Sequence, residues 1–121
     1  MKNYYTEQTN FYGNLTPEEL INKYGSPLYV YNESILRQRC REMLSLVDYP
    51  YFKVHYSTKA NSNLSLLKII REEGIYADAM SPGELYILMK AGFKPEEIFY
   101  VSNNISKSEL EFVVDSSILF S

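Results

Sequence analysis

The stretch IYADAMSPGELYILMKAGFKPEEIFYVS, residues 75–102, holds one full turn of a repeating pattern. It opens on a β-branched and aromatic run, Ile75 to Asp78, that reads as a buried strand. Ser81-Pro82-Gly83-Glu84 follows, with Ser and Glu at capping-box spacing and a proline at the first helical position, where a missing N–H costs nothing. Leu85, Leu88 and Met89 then fall at helical spacing and read as a core stripe. Gly92 can take the left-handed conformation that closes a helix, and Ile98 to Ser102 reads as the next strand.

The same unit extends in both directions. Phe52 to Ser57 and Ile118 to Phe120 read as two further strands, so strands start at residues 52, 75, 98 and 118, a spacing that holds one strand, one helix and two short loops. Thr16-Pro17-Glu18-Glu19 and Ser106-Lys107-Ser108-Glu109 repeat the capping box, while Gly25 and Gly74 supply further helix stops. Core stripes are expected at Leu66, Ile69 and Ile70 and at Leu110, Val113 and Val114. Parallel strands joined by right-handed crossovers wind either into a doubly wound open sheet or around a barrel, and the pattern leaves both open. No Gly-x-Gly-x-x-Gly follows the first strand, which weakens a dinucleotide-binding version of the open sheet. Ahead of the repeat, Pro27 to Tyr31 reads as a short apolar strand behind the Gly25-Ser26-Pro27 breaker, and Asn32 caps a helix expected through about Leu46.

Composition bounds the function. The chain has 121 residues, 12 Lys and Arg against 15 Asp and Glu for a net charge of −3, and is 45% apolar and 15% aromatic. That excludes global disorder. Its cations are scattered, with no basic stripe to track a phosphate backbone, so nucleic acid is not expected as a partner. The N-terminal MKNYYTEQTN lacks an apolar targeting core and no stretch approaches the roughly 18 apolar residues of a membrane span, which makes the cytoplasm the default location. One cysteine, Cys40, and one histidine, His55, exclude an internal disulfide and a zinc cluster. Cys40, in the middle of a helix, reads as a small buried hydrophobe. The last strand has no following helix to cover it, and a closed eight-stranded barrel takes roughly 250 residues, so the chain is expected to be part of a longer protein and poorly stable alone.

In parallel βα folds reactive groups gather at the carboxyl ends of the strands. Those ends carry Ser57-Thr58-Lys59-Ala60-Asn61, Asp78 and Ser102-Asn103-Asn104. Alternation puts His55, Ser57 and Lys59 on one face of the first strand and Val54 and Tyr56 on the other. If that face is the inward one, the Lys59 amine points into a pocket whose desolvation would favour its neutral, nucleophilic form. A solvated surface lysine is the alternative. Asp78 ends its strand beside Lys59 and could pair with its amine, Glu84 either serves the site or reaches back to the Ser81 backbone, and Ser81 reads as a cap. His55 reads as a core histidine, Tyr56 as packing, and Asn103 and Asn104 as a turn at the rim.

Four ordered motifs, KYGSPLYVYNESIL (Lys23 to Leu36), HYSTKAN (His55 to Asn61), YADAMSPGELY (Tyr76 to Tyr86) and VSNNIS (Val101 to Ser106), resemble the diaminopimelate decarboxylases. These are pyridoxal phosphate (PLP) enzymes related to ornithine and arginine decarboxylases and, more distantly, to alanine racemase. The resemblance runs from about Lys23 to Ser121. The racemase lysine motif continues with Tyr-Gly-His, whereas Lys59-Ala60-Asn61 here runs into Ser62-Asn63-Leu64, on the decarboxylase side.

The resemblance implies an α/β fold, the first half of a (β/α)8 barrel. Residues 32–121 would form its first four strands, and residues 1–31 would lead in from the side of a β-domain. It implies that Lys59 binds PLP covalently and that Asp78 and Glu84 lie near the cofactor; the residues themselves give no metal site to expect. It also implies a small amino-acid substrate, meso-diaminopimelate decarboxylated to L-lysine, and a homodimer. The glycine-rich phosphate loop, the carboxylate facing the pyridine nitrogen, the ring-stacking histidine and the cross-dimer residues would all lie beyond Ser121. Another basic amino-acid decarboxylase, or a non-catalytic interaction module, are the alternative readings.

Overall fold

Helices begin where their caps stand in the sequence. The computed structural model describes residues 10–121. In it Thr16 caps α1 (Pro17–Tyr24), its side chain accepting from the Glu19 N–H while the Glu19 carboxylate accepts from the Thr16 N–H. Asn32 caps α2 (Glu33–Leu44) by accepting from the Ile35 N–H. Three parallel βα units and a fourth strand follow: β1 (His55–Ser57), α3 (Leu64–Glu72), β2 (Tyr76–Ala79), α4 (Pro82–Ala91), β3 (Ile98–Tyr100), α5 (Lys107–Asp115) and β4 (Leu119–Phe120). Ser106 and Glu109 form the reciprocal box at α5. Gly92, at φ 95°, ends α4 in the left-handed region, which an L side chain enters only with strain.

The sheet order is β1-β2-β3-β4, with every pair parallel. This order decides between the two windings. A doubly wound sheet reverses its order and carries helices on both faces; here each crossover advances the same way, and one core cluster joins Leu67 of α3, Leu85, Leu88 and Ala91 of α4 and Val113 of α5 to Ala77, Ala79, Ile98, Tyr100 and Ile118. All three helices therefore cover one face, as in a barrel wall. Ala77 and Ala79 are small enough to let the helices approach the sheet closely. On the other face the register aligns His55 with Tyr76 and Ser57 with Asp78, and Asp78 with Phe99.

Several expectations shift. The first strand covers only His55–Ser57 of the expected Phe52 to Ser57, because the Phe52 N–H is used on the Tyr49 carbonyl in a turn and the first bond toward β2 reaches Val54. The third strand stops at Tyr100, two residues before the expected Ser102. Pro27 to Tyr31 forms no strand among the described residues: it does not pair with the open edge of β1, where the sheet ends. Met89 and Val114 are exposed, since the buried row of α4 is Leu85, Leu88 and Ala91 and that of α5 centres on Val113. Cys40 is buried against Ile70 and Ile75, and burial pushes its thiol pKa up. No helix among the described residues is long and apolar enough to cross a membrane.

Candidate functional site

Lys59 sits at the carboxyl end of β1, in a tight 3₁₀ turn over Thr58–Ala60, with its side chain exposed. The strand stops at Ser57, so alternation does not carry through to Lys59; the turn, rather than the pleat, sets its direction. The expected desolvated pocket is not built by the described residues, and among them Lys59 makes no ion pair with Asp78. The flanking residues hold the turn from both sides. Tyr56, on the helix-covered face, donates its hydroxyl to the Asn61 carbonyl at 3.2 Å, and burial pushes its phenol pKa up. The Asn61 amide in turn donates to the Tyr31 hydroxyl at 2.9 Å, tying the segment before α2 to the lysine turn.

Asp78 reaches the same rim from β2. The Ser57 hydroxyl donates to its Oδ2 at 3.2 Å, while its Oδ1 is buried with no hydrogen-bond partner. The Thr58 hydroxyl, on a fully buried residue, is likewise unpartnered. Buried polar atoms are nearly always paired, so two orphans flanking one lysine mark a place built around something more than packing. The structure therefore brings Ser57, Thr58, Lys59 and Asp78 to one rim. Of these, sequence reading named Lys59 and Asp78; the Ser57–Asp78 link depends on the register between two strands, which no local pattern encodes.

Glu84 belongs to the opening of α4. Its carboxylate accepts from the Met80 N–H at 2.6 Å, and Ser81 accepts from the Glu84 N–H at 3.2 Å. This corrects the expected full capping box: the glutamate reaches one residue further back than Ser81, and the box is half made. Burial, then the charge of Glu109 and last that of Glu84, holds the Tyr100 phenol above its ordinary pKa. His55 is exposed on the open face, not in the core; its ring meets Tyr76 and Phe99 edge-on at 5.4 and 6.3 Å. It lands there because the helices cover the opposite face. Asn103 and Asn104 are exposed in a bend, Asn104 at φ 54°, and serve the turn ahead of the Ser106 cap.

A pyridoxal group requires a primary amine for its aldehyde and donors or acceptors around it. The rim offers an accessible Lys59 amine and, on the neighbouring strand, the Asp78 carboxylate with one unpartnered oxygen, an amine and an acceptor that fit such a group.

Comparison with known proteins agrees. Residues 33–120 match the family described as pyridoxal-dependent decarboxylase, pyridoxal binding domain. The chain is 43% identical over 102 residues to a diaminopimelate decarboxylase of Methanothermobacter thermautotrophicus, covering 83% of this chain and 24% of that protein. It is 37% identical over 101 residues to one of Bacillus subtilis, covering 82% and 23%. The chain thus spans about a quarter of the length of the curated relatives it matches. Among solved structures, diaminopimelate decarboxylase from Helicobacter pylori complexed with L-lysine superposes with a TM-score of 0.80 at 31% identity, over 87% of this chain and 27% of that one. A lysine/ornithine decarboxylase complexed with putrescine from Vibrio vulnificus, at 18% identity and a TM-score of 0.76 over 88% of this chain and 31% of that one, shares the fold. A barrel-wall sheet with its lysine turn at the carboxyl rim, matched across residues 33–120, makes this chain a member of the pyridoxal-dependent decarboxylase family.

Proposed function

We propose that this chain is the lysine-bearing part of a decarboxylase that converts meso-diaminopimelate to L-lysine and carbon dioxide. The observation that carries the reading is the placement of Lys59 in the turn closing β1, next to the Ser57–Asp78 pair at the carboxyl rim. The names of the 32–43% identical relatives, and the L-lysine held by the Helicobacter pylori neighbour, support this substrate over other basic amino acids.

When bound, PLP supplies the electron sink for the carbanion left as carbon dioxide departs. Lys59 supplies the amine to which the cofactor aldehyde attaches. Asp78 offers a carboxylate oxygen to a cationic nitrogen at the rim, and Glu84 fixes the start of α4 beside it while adding negative charge. In this reading residues 32–121 belong to the barrel, residues 1–31 lead in from the side of a second, β-rich domain, and the working unit is a cytoplasmic homodimer.

The test uses a protein that carries this chain at the full length of its relatives. Borohydride reduction with PLP followed by peptide mapping is expected to place the label on residue 59 among the chain's lysines. Lys59→Ala is expected to remove the label and lower carbon dioxide release from meso-diaminopimelate by roughly 10⁴-fold or more. A label on another lysine, or a PLP-loaded protein that releases no carbon dioxide from this substrate, overturns the reading. Faster release from ornithine or arginine replaces the substrate with that one.

A further inference from the structure

We infer that Ser57 is a positioning residue: its hydroxyl holds one oxygen of Asp78 so that the other is presented, without water, to the nitrogen of Lys59. The inference rests on the reading of Lys59 as the cofactor lysine and assigns a role to a residue that neither the motifs nor the comparisons single out.

Three observations carry it. Ser57 and Asp78 are direct partners in the β1–β2 register, so their side chains stand side by side on the sheet face that the helices leave open. The Ser57 hydroxyl donates to Asp78 Oδ2 at 3.2 Å, which restricts rotation of the carboxylate about its last bond. Asp78 Oδ1 is buried and has no partner. An ionised carboxylate has acceptor sites on both oxygens, and leaving one stripped of both water and donors is costly. Such an oxygen is an acceptor held ready for a donor. Lys59 lies two residues beyond Ser57, on a flexible four-carbon arm that is exposed and makes no ion pair among the described residues. Its nitrogen, brought inward, is a donor of matching charge carried by the turn that closes the strand paired with Asp78. Without the Ser57 hydroxyl the carboxylate is free to rotate, and the oriented acceptor is lost while the negative charge stays.

A double-mutant cycle in the same full-length protein tests this, with the dissociation constant of PLP as the readout and the label at residue 59 mapped first. Ser57→Ala is expected to weaken PLP binding about tenfold, the effect of losing one hydrogen bond to a charged acceptor. Ser57→Thr, which keeps the hydroxyl, is expected to restore binding to within about twofold. In an Asp78→Asn background Ser57→Ala is expected to change nothing further, because a residue that acts through Asp78 has no effect once that carboxylate is gone. Ser57→Cys, close in volume and a weak donor, repeats the alanine result without a packing defect. The inference is overturned if Ser57→Ala binds PLP like the wild type, if threonine fails to rescue, or if the alanine effect persists undiminished beside Asp78→Asn. A wild type that takes no cofactor at Lys59 overturns the functional reading as well, whereas normal attachment with a silent Ser57→Ala removes only the role of Ser57.

Discussion

A buried hydroxyl without a partner weighs against folding, and Thr58 carries one beside the lysine the motif singles out. Valine has nearly the same shape and no polar atom to leave unsatisfied. Thr58→Val is therefore expected to stabilise the β1–β2 region by about 1 kcal/mol, read as about fivefold slower amide exchange at Tyr56 and Ala77. Faster exchange in the variant would mean that the hydroxyl has a native partner. At this scale the sequence names Lys59, Asp78 and Glu84 by residue type in their motifs, and the structure sets Lys59 in the turn closing β1 and Asp78 in β2 opposite Ser57. The sequence was not legible where the outcome depends on where a strand stops. Alternation carried past Ser57 would aim Lys59 inward, but the strand gives way to a turn, and the lysine is exposed.

Charged residues of two elements hold α2 against the end of α3. Arg37 pairs with Glu33, Glu72 and Glu73 at 2.8, 2.7 and 2.9 Å, and Arg41 pairs with Glu73 at 2.7 Å. The Glu73 side chain, only 9% exposed, has its carboxyl held below the ordinary carboxylate range by hydrogen bonds from Arg41 and then Arg37. A depressed pKa means stability that is present above the unfolded value, about 4.3, and lost as pH falls through the lower folded value. Amide protection in α2 is therefore expected to hold at pH 6 and to fall as the solution is taken below about pH 4. Glu73→Gln should lower protection at pH 6 and flatten that acid dependence; an unchanged acid profile would assign it to other carboxylates, such as Glu42 with Arg39 on α2 itself. Local signals of this kind were readable at the element scale: Thr16, Asn32, Ser81 and Ser106 all cap helices as expected. Strand limits were not, since a β-branched run such as Phe52 to Ser57 records propensity, while the ladder records where the partner strand begins. Pro27 to Tyr31 makes the same point, having strand composition and no strand beside it.

On the scale of the whole molecule, one-sided helix cover is what turns four parallel strands and the three helices between them into a barrel wall, and it leaves the other sheet face bare. His55 and Leu119 are exposed on that face, Leu119 at 70%, and the sheet ends on both sides in strands whose outer edges carry no ladder partner among the described residues. Uncovered apolar face and unpaired edge favour association with another strand or another copy. The two-residue β4 and the exposed Lys53 ahead of β1 blunt the edges without covering the face. The 121-residue chain by itself is therefore expected to enhance the fluorescence of a hydrophobic dye and to sediment as growing oligomers as its concentration rises toward about 100 μM. A version at the length of its relatives should do neither if the added chain closes the barrel over His55, Tyr76, Phe99 and Leu119. A 121-residue chain that stays monomeric and dye-free across that range, with a cooperative melting transition, would mean that this face is covered from within residues 1–121, and the half-open wall would no longer describe it in solution.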